Sequence, residues 1–429
     1  MIKKYTNNKR RELMKANICL LLLGCMVMGS AFSQNKKTAI KKPNVIVILT
    51  DDMGFSDIGC FGSEVSTPNI DKLAGNGLMF NHFYNTARCS PSRASLLTGL
   101  YPHQAGMGHL STENFGEPGY VDDLSKNAVT MAEVFKQAGY ATYMAGKWHI
   151  SKKITKEGDQ SNWPCQRGFQ RFFGTLNGSG SFYDPGTLIS NNTFIAPGKD
   201  FYYTNAISDT AVKFINEHPA KQPFFFYIAY TAAHWPLQAP EKVVQKYKGM
   251  YDIGWDSTRQ KRFEKLKKLG IISSKAVLTE RGVSIPEWNK EPLKDWQVKR
   301  MEVYAAMIDI LDQGIGRIIT ALEKKGELEN TIIFYMHDNG GCAEPLNSNQ
   351  AEIPPTEIQK MGKAYAADSV FVGKQPIYTR DGIFIRSGKG VMPGNADSWV
   401  GYGEEWANVS NTPFRLYKHW ANEVALLHL

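Results

Sequence analysis

The chain has 429 residues, 42% hydrophobic and 21% charged, with 50 basic and 41 acidic side chains. That length suits one large α/β core or two to three average domains, and the composition is that of a folded globular chain. The basic residues form no stripe interleaved with stacking aromatics, which argues against a nucleic-acid partner. Past the N-terminus no run is apolar for long enough to span a bilayer stably.

Residues 1–33 read as an export signal. Lys3, Lys4, Lys9, Arg10, Arg11 and Lys15 precede an apolar run from Ile18 to Phe32. Ala31 and Ser33 suit signal peptidase, with Gln34 as the first mature residue. Met14 offers a more compact start. Leu22-Leu-Gly-Cys25 resembles a lipobox, but the apolar run continues past Cys25, so a periplasmic or secreted protein is expected ahead of a lipid-anchored one. With the six basic residues and one acidic residue of this segment removed, the net charge falls from +9 to +4. Such a surface attracts anions without identifying them.

Residues 34–43 form a polar linker into a single catalytic domain, 34–429. Asn44 to Thr50 is a continuous β-branched run, the pattern of a strand buried on both faces. The periodicity then predicts helices over 70–75, 91–99 and 129–139, a strand over 140–145, a helix over 204–218 and a strand over 224–230. The stretch 241–300, rich in Lys, Glu and Arg, reads as a surface helical excursion within the domain. A helix over 296–326 leads to a strand over 331–337, and 343–410 reads as long loops with a hairpin near 377–386. Helices alternating with buried strands imply an α/β sheet with helices on both faces. Such sheets bind ligands beyond the carboxyl ends of their strands, where Asp51, Lys147, His234 and Asp338 fall.

Six cysteines are present, and Cys19 and Cys25 leave with the signal. The remaining four are too few and too scattered for a disulfide framework or a zinc cluster. Cys60, Cys165 and Cys342 read as buried apolar side chains. Cys89 lies just ahead of a helix with Pro91 near its first turn, where the helix terminus lowers a thiol pKa. Position alone leaves a reactive cysteine and an incidental one equally open.

The string Cys89-Ser-Pro-Ser-Arg-Ala-Ser-Leu-Leu-Thr-Gly99 resembles the signature of type I sulfatases, members of the alkaline phosphatase superfamily. The likeness runs from about Pro43 almost to the end and is nearest to bacterial arylsulfatases. It implies an alkaline-phosphatase-like mixed sheet sandwiched by helices, and hydrolysis of aryl or carbohydrate sulfate esters. It also implies that a formylglycine-generating maturation enzyme oxidises Cys89 to formylglycine. The hydrate makes chemical sense, because one hydroxyl of a geminal diol displaces the alcohol from sulfur. The other then loses its proton and expels sulfate, so the difficult second step is intramolecular.

The remaining roles come from the same resemblance. Asp51-Asp52, in Val47-Ile-Leu-Thr-Asp-Asp-Met-Gly54, and Asp338-Asn339, in His-Asp-Asn-Gly-Gly, match its calcium ligands, with modified Cys89 completing the shell. Taken singly, each pair would read as a turn cap. Together they offer the oxygen donors that Ca²⁺ or Mg²⁺ requires. In Ala145-Gly-Lys-Trp-His149, Lys147 binds a sulfate oxygen and His149 is the base that helps to expel sulfate; Arg93 holds the same hydroxyl region. His234, before Trp235-Pro236, protonates the leaving alcohol, and Lys418 binds sulfate. His103 and His109 are expected to support the site from the loop beyond the signature. Ser151 and His337 depart from the family's usual glycine and serine.

After Glu423 the resemblance stops. Family members continue with Glu-Gly-Gly-Ile-Ala-Thr-Pro-Leu-Ile, whereas this chain ends Glu-Val-Ala-Leu-Leu-His-Leu. Deleting one G from GAA GGT GGC ATT GCT ACA CCT TTG ATC gives GAA GTG GCA TTG CTA CAC CTT TGA, which encodes that ending and a stop. A one-base deletion that removes the C-terminal subdomain is therefore expected. The rival expectations are a phosphonate or phosphodiester hydrolase using the same nucleophile and ligands, and an inactive truncated remnant.

Overall fold

The computed structural model describes residues 41–420 apart from 112, 220, 345, 347–354, 359–365, 367–368 and 374, together with 12, 14 and 15. The expected cleavage site, the lipobox, most of the linker and the ending after Glu423 lie outside the described residues. The chain divides into a short unit, Met1–Lys42, and a large one, Pro43–Leu429, which holds the stretch 241–300. No helix among the described residues is long and apolar enough to cross a membrane.

β1 (Asn44–Thr50) is buried along its whole length, as its β-branched run predicts. It pairs in parallel with β6 (Phe224–Ala229) on one side and β7 (Thr331–His337) on the other. β6 pairs in parallel with β2 (Ala141–Lys147), and β2 with β3 (Arg171–Thr175). Antiparallel β4 (Leu188–Ser190) and β5 (Thr193–Phe194) complete a mixed sheet of order β5-β4-β3-β2-β6-β1-β7. Lys147 is thus the last residue of its strand rather than a residue beyond it. Gly146 explains why β2 runs that far, because a Cβ there would lie 1.8 Å from the Ala229 carbonyl oxygen. Only glycine lets these two strands stay paired up to the site.

Alternate residues of these strands enter two cores. Ile46, Ile48, Phe226 and Ile228 share a core with α1 (Pro68–Gly75), α4 (Tyr203–Glu217) and the long α6 (Lys294–Lys325). Val45, Val47, Leu49, Phe225 and Tyr227 face α2 (Cys89–Thr98) and α3 (Met131–Gln137). This is the helix-covered α/β sheet that the alternation implies. Helix ends are chemically marked: Thr130 and Glu133 close a capping box on α3, and Gly99 ends α2 in the left-handed conformation.

Three expectations need correction. The charged stretch near 260 is not a surface excursion: α5 (Gly254–Lys268) buries Trp255, Arg262, Phe263 and Leu266. Arg262 holds Asp57 and Glu64 at 2.7 Å each, which braces the turn after β1. The stretch 343–410 is not all loop, since it contains α7 (Gly403–Ser410) and the two-stranded pair β8 (Arg386–Ser387) and β9 (Ser398–Trp399). The hairpin near 377–386 is present as a bridge between Tyr378 and Phe384. Finally, of the three cysteines expected to be buried apolar side chains, Cys342 is buried, whereas Cys60 and Cys165 are partly exposed, each packed at the edge of a core.

Candidate functional site

Five strand or helix ends converge beyond the carboxyl edge of the sheet. β1 delivers Asp51 and Asp52, β7 delivers Asp338 and Asn339, and β2 delivers Lys147 with His149 two residues on. The loop after β6 carries His234, and the first turn of α2 carries Cys89 and Arg93. Lys418 arrives from the far end of the described chain and donates its backbone N–H to the Gly341 carbonyl. All of these residues are buried. Every residue that the sequence nominates for catalysis or metal binding is therefore in this one cluster. Cys89 is the first residue of its helix, not the one ahead of it.

The carboxylates and cations interlock. Lys147 Nζ lies 2.5 Å from Asp51 Oδ2. Arg93 donates to Asp338 Oδ2 at 2.8 and 3.2 Å and to the Lys147 carbonyl at 3.1 Å. Lys418 Nζ reaches both oxygens of Asp52, at 2.8 and 2.9 Å. Asp52 also meets His234 Nε2 at 3.2 Å and accepts from Asn339 Nδ2 at 2.6 Å. Three carboxylates and three fixed cations balance formally in a space closed to solvent, which is how buried charges persist.

Burial sets the protonation states. It pushes the Cys89 thiol up to about 12, with Lys147 and Lys418 opposing. The helix-terminus argument for a reactive thiol therefore fails here. A terminus is worth at most about 2 kcal/mol, and desolvation of a thiolate exceeds that. Unmodified Cys89 is a protonated thiol, not an activated nucleophile. Burial also raises Asp52, yet Lys418, His234 and Lys147 together hold it far below the ordinary carboxylate range. Asp338 is pushed upward by burial and by neighbouring Asp51. His149 is driven well below its usual value by burial, Lys147 and Arg93, so its ring is neutral.

His234 is less simple. Nδ1 is 2.6 Å from the Trp235 carbonyl and Nε2 is 3.2 Å from Asp52, so both ring nitrogens face acceptors, as an imidazolium requires. Burial and the two lysines nevertheless lower it to about 4, against the pull of Asp52. An anion bound beside the lysines would cancel their repulsion and favour the charged ring.

A metal fits the donor set. One donor atom each from Asp51, Asp52, Cys89 and His234 lie within 4.8 Å of one another. Asp51 Oδ1 and Asn339 Oδ1 are buried without a hydrogen-bond partner among the described residues. Orphaned oxygens of this kind, in a set dominated by carboxylates and an amide, suit a hard cation such as Ca²⁺. His234 joins that group through its Nε2, which faces Asp52, and is a nitrogen beside the oxygen donors rather than one of them.

Neighbouring residues explain two further details. Gly178 lies over His149, where a Cβ would come 2.2 Å from Nε2, so only glycine lets that loop cover the ring. Ser151 binds Trp148 Nε1 at 2.8 Å and the Asn162 carbonyl at 2.6 Å, which fastens the turn carrying Lys147 and His149. His337 lies 3.1 Å from the Tyr335 hydroxyl, and burial lowers it to about 4. His103 and His109 do not support the site as expected. His103 is exposed and pairs with Tyr120, and His109 pairs with Glu113 in its own loop.

Comparison with known proteins follows the same lines. The sulfatase family model matches residues 43–400. An uncharacterised sulfatase of Schizosaccharomyces pombe is 34% identical over 415 residues, covering 91% of this chain and 69% of that protein. An arylsulfatase of Klebsiella aerogenes is 33% identical over 422 residues, 95% of this chain and 82% of its own length. Among solved structures, Ps i-CgsB in complex with k-i-k-neocarrahexaose is 28% identical with a TM-score of 0.51. The match covers 70% of this chain, which spans 59% of that one.

Proposed function

The chain belongs to the sulfatase family, and from that premise we propose that it hydrolyses aryl or carbohydrate sulfate esters at a formylglycine formed from Cys89, with bound Ca²⁺ (Mg²⁺ as a substitute). The observation that carries this reading is the burial of Cys89 within reach of Asp51 and Asp52, beside three cations that can receive sulfate oxygens.

Asp51, Asp52, Asp338, Asn339 and the modified Cys89 would hold the metal, which supplies positive charge against the sulfate oxygens and favours an ionised hydroxyl. Oxidised and hydrated, position 89 supplies a geminal diol, one oxygen of which displaces the alcohol while the other regenerates the aldehyde as sulfate leaves. Lys147 and Lys418 bind sulfate oxygens, which frees Asp51 and Asp52 from their present partners. Arg93, anchored on Asp338 and the Lys147 carbonyl, orients the hydroxyl of residue 89. Neutral His149 accepts a proton from that residue as sulfate is expelled. His234 gives its Nε2 proton to the leaving alcohol, once the anion has offset the lysine repulsion that, after burial, lowers its pKa.

The partners under this reading are a sulfate ester and a formylglycine-generating enzyme, met before folding buries Cys89. The segment 1–33 supports a periplasmic or secreted location. The deciding experiment is hydrolysis of 4-nitrophenyl sulfate in calcium by chain co-produced with a formylglycine-generating enzyme. Mass spectrometry of the peptide spanning residue 89 confirms the modification. Fully modified, folded protein that cleaves neither this aryl sulfate nor a panel of sulfated saccharides would refute the reading. Faster cleavage of a phosphonate or phosphodiester than of the sulfate would assign it to the other branch of the superfamily.

A further inference from the structure

Five residues beyond Asn339, one carboxylate touches the neighbours of three site residues. Glu344 Oε1 accepts from His419 Nε2 at 3.1 Å and faces Arg88 NH1 at 3.8 Å. Its Oε2 accepts from Trp235 Nε1 at 3.3 Å. Arg88 immediately precedes Cys89 and is the N-cap of α2. Trp235 immediately follows His234, and His419 immediately follows Lys418. The same stretches are laced by the main chain: His419 donates to the Ala87 carbonyl at 3.2 Å and Lys418 to the Gly341 carbonyl at 3.1 Å. Four chain segments remote in sequence thus meet at Glu344.

Glu344 does not belong to the converging donor atoms of Asp51, Asp52, Cys89 and His234. Its exposure of 30%, and the 22% and 35% of Arg88 and His419, make these pairs weak contributors to global stability, since ion pairs at such exposure give about 0–1 kcal/mol. What the arrangement supplies is relative position. Cys89, His234 and Lys418 come from three unconnected segments, and no hydrogen bond among the described residues joins Cys89 directly to either of the others.

We propose that Glu344 is a positioning residue: by tying Arg88, Trp235 and His419 to one carboxylate it fixes the nucleophile position, the proton donor and a sulfate-binding lysine relative to one another. The inference rests on the proposed function for the roles of those three residues. Burial opposes ionisation of Glu344, but the hydrogen bond from His419 and the charge of Lys418 hold it at about 2, so the tie is ionic across the working pH range. Misplacement of reacting groups by about 1 Å lowers turnover about 10²-fold, which sets the expected effect of losing it.

The test compares Glu344→Ala and Glu344→Gln with the parent chain, all co-produced with a formylglycine-generating enzyme. Hydrogen–deuterium exchange is read on peptides covering 86–92, 232–237 and 416–420. Glu344→Ala should raise exchange in all three together and leave the sheet unchanged, with Glu344→Gln intermediate. Steady-state hydrolysis of 4-nitrophenyl sulfate, normalised to formylglycine content, should show kcat lowered about 10²-fold by Glu344→Ala, with KM within about threefold. The glutamine variant keeps one of the two accepting oxygens and should recover to within about tenfold of the parent. Unchanged exchange in the three peptides, or a rise spread through the sheet, overturns the proposal. So does a raised KM at unchanged kcat, which would make Glu344 a substrate contact. If the parent itself fails to turn over while exchange responds as expected, the three-way tie stands and the sulfatase reading is what fails.

Discussion

Replacing Lys147 with methionine removes a charge from a place where water cannot substitute for it. Lys147 Nζ and Asp51 Oδ2 are 2.5 Å apart and both side chains are wholly unexposed. At an effective dielectric of about 20 their attraction is about 7 kcal/mol. Desolvation of both groups offsets much of that, and breaking a buried pair from one side costs about 3–5 kcal/mol. Arg93 remains 3.5 Å from Asp51 Oδ1, which places the expectation near the lower end, about 3 kcal/mol. For a unit the size of Pro43–Leu429 the unfolding entropy is about 0.8 kcal/mol per kelvin, so Tm should fall by about 4 °C. Under the proposed function the variant also loses a charged hydrogen bond to a sulfate oxygen, worth about 10²–10³-fold in kcat. Scanning fluorimetry in EDTA and in millimolar calcium, beside steady-state kinetics, reads both effects. A cation bound beside Asp51 replaces part of the missing charge, so calcium should narrow the Tm gap and leave the kcat deficit. A Tm in EDTA within about 1 °C of the parent would refute the stabilising role assigned to the pair. A kcat within about threefold would remove Lys147 from the sulfate.

Other substitutions probe separate parts of the site. Cys89→Ala should abolish turnover in a chain that still folds; activity above about 1% of the parent would exclude residue 89 as nucleophile. Asp338→Ala should weaken calcium binding measured by titration calorimetry, and an unchanged isotherm would take Asp338 out of the metal shell. Ser151→Gly loses the hydrogen bonds to Trp148 and Asn162 and should destabilise by about 1–2 kcal/mol; an unaltered Tm would show that the hydroxyl does not hold the turn. His218 lies away from the site, with Nδ1 2.9 Å from the Tyr143 hydroxyl, and burial lowers its pKa. Below pH 6.5 the unfolded chain takes a proton that the folded ring resists, so its stabilisation is full above that pH and lost as pH falls. His218→Gln should therefore flatten the decline of Tm between pH 7 and 5, and parallel curves for the two proteins would refute this.

The longest strands were legible because long apolar, β-branched runs leave few alternatives: β1 and the edge strand β7 begin and end where the pattern says. β3, β4 and β5 gave no such signal. They have two to five residues, and β3 carries Gly174 within the sequence Arg-Phe-Phe-Gly-Thr. α7 was hidden in a glycine-rich stretch, and the buried face of α5 behind its many lysines and arginines. Strand ends marked Asp51, Lys147 and Asp338 as neighbours on physical grounds alone. Lys418, 366 positions from the Asp52 it binds, was readable only through family resemblance, since no local pattern distinguishes it from a solvated lysine. Glu344 carried no signal at all, because its function depends on three partners that only the fold assembles.

The charge count of the site shows why such distant residues must meet. Asp51, Asp52 and Asp338 are matched by Arg93, Lys147 and Lys418, so the cluster is formally neutral as it folds and buries no unbalanced charge. Under the proposed function, a divalent cation among the carboxylates would leave an excess of two positive charges, which the monoanionic sulfate ester and an ionised hydroxyl on residue 89 would together cancel. A neutral alcohol carries nothing to cancel, so it has no electrostatic reason to stay. The same balance bears on His234, whose proton is disfavoured by burial and by the two lysines that face it, and becomes more tolerable once an anion offsets the lysines. Under the proposed function acid catalysis is thereby tied to the presence of the substrate's sulfate group, and the cations that balance the buried carboxylates are the ones that would recognise the ester.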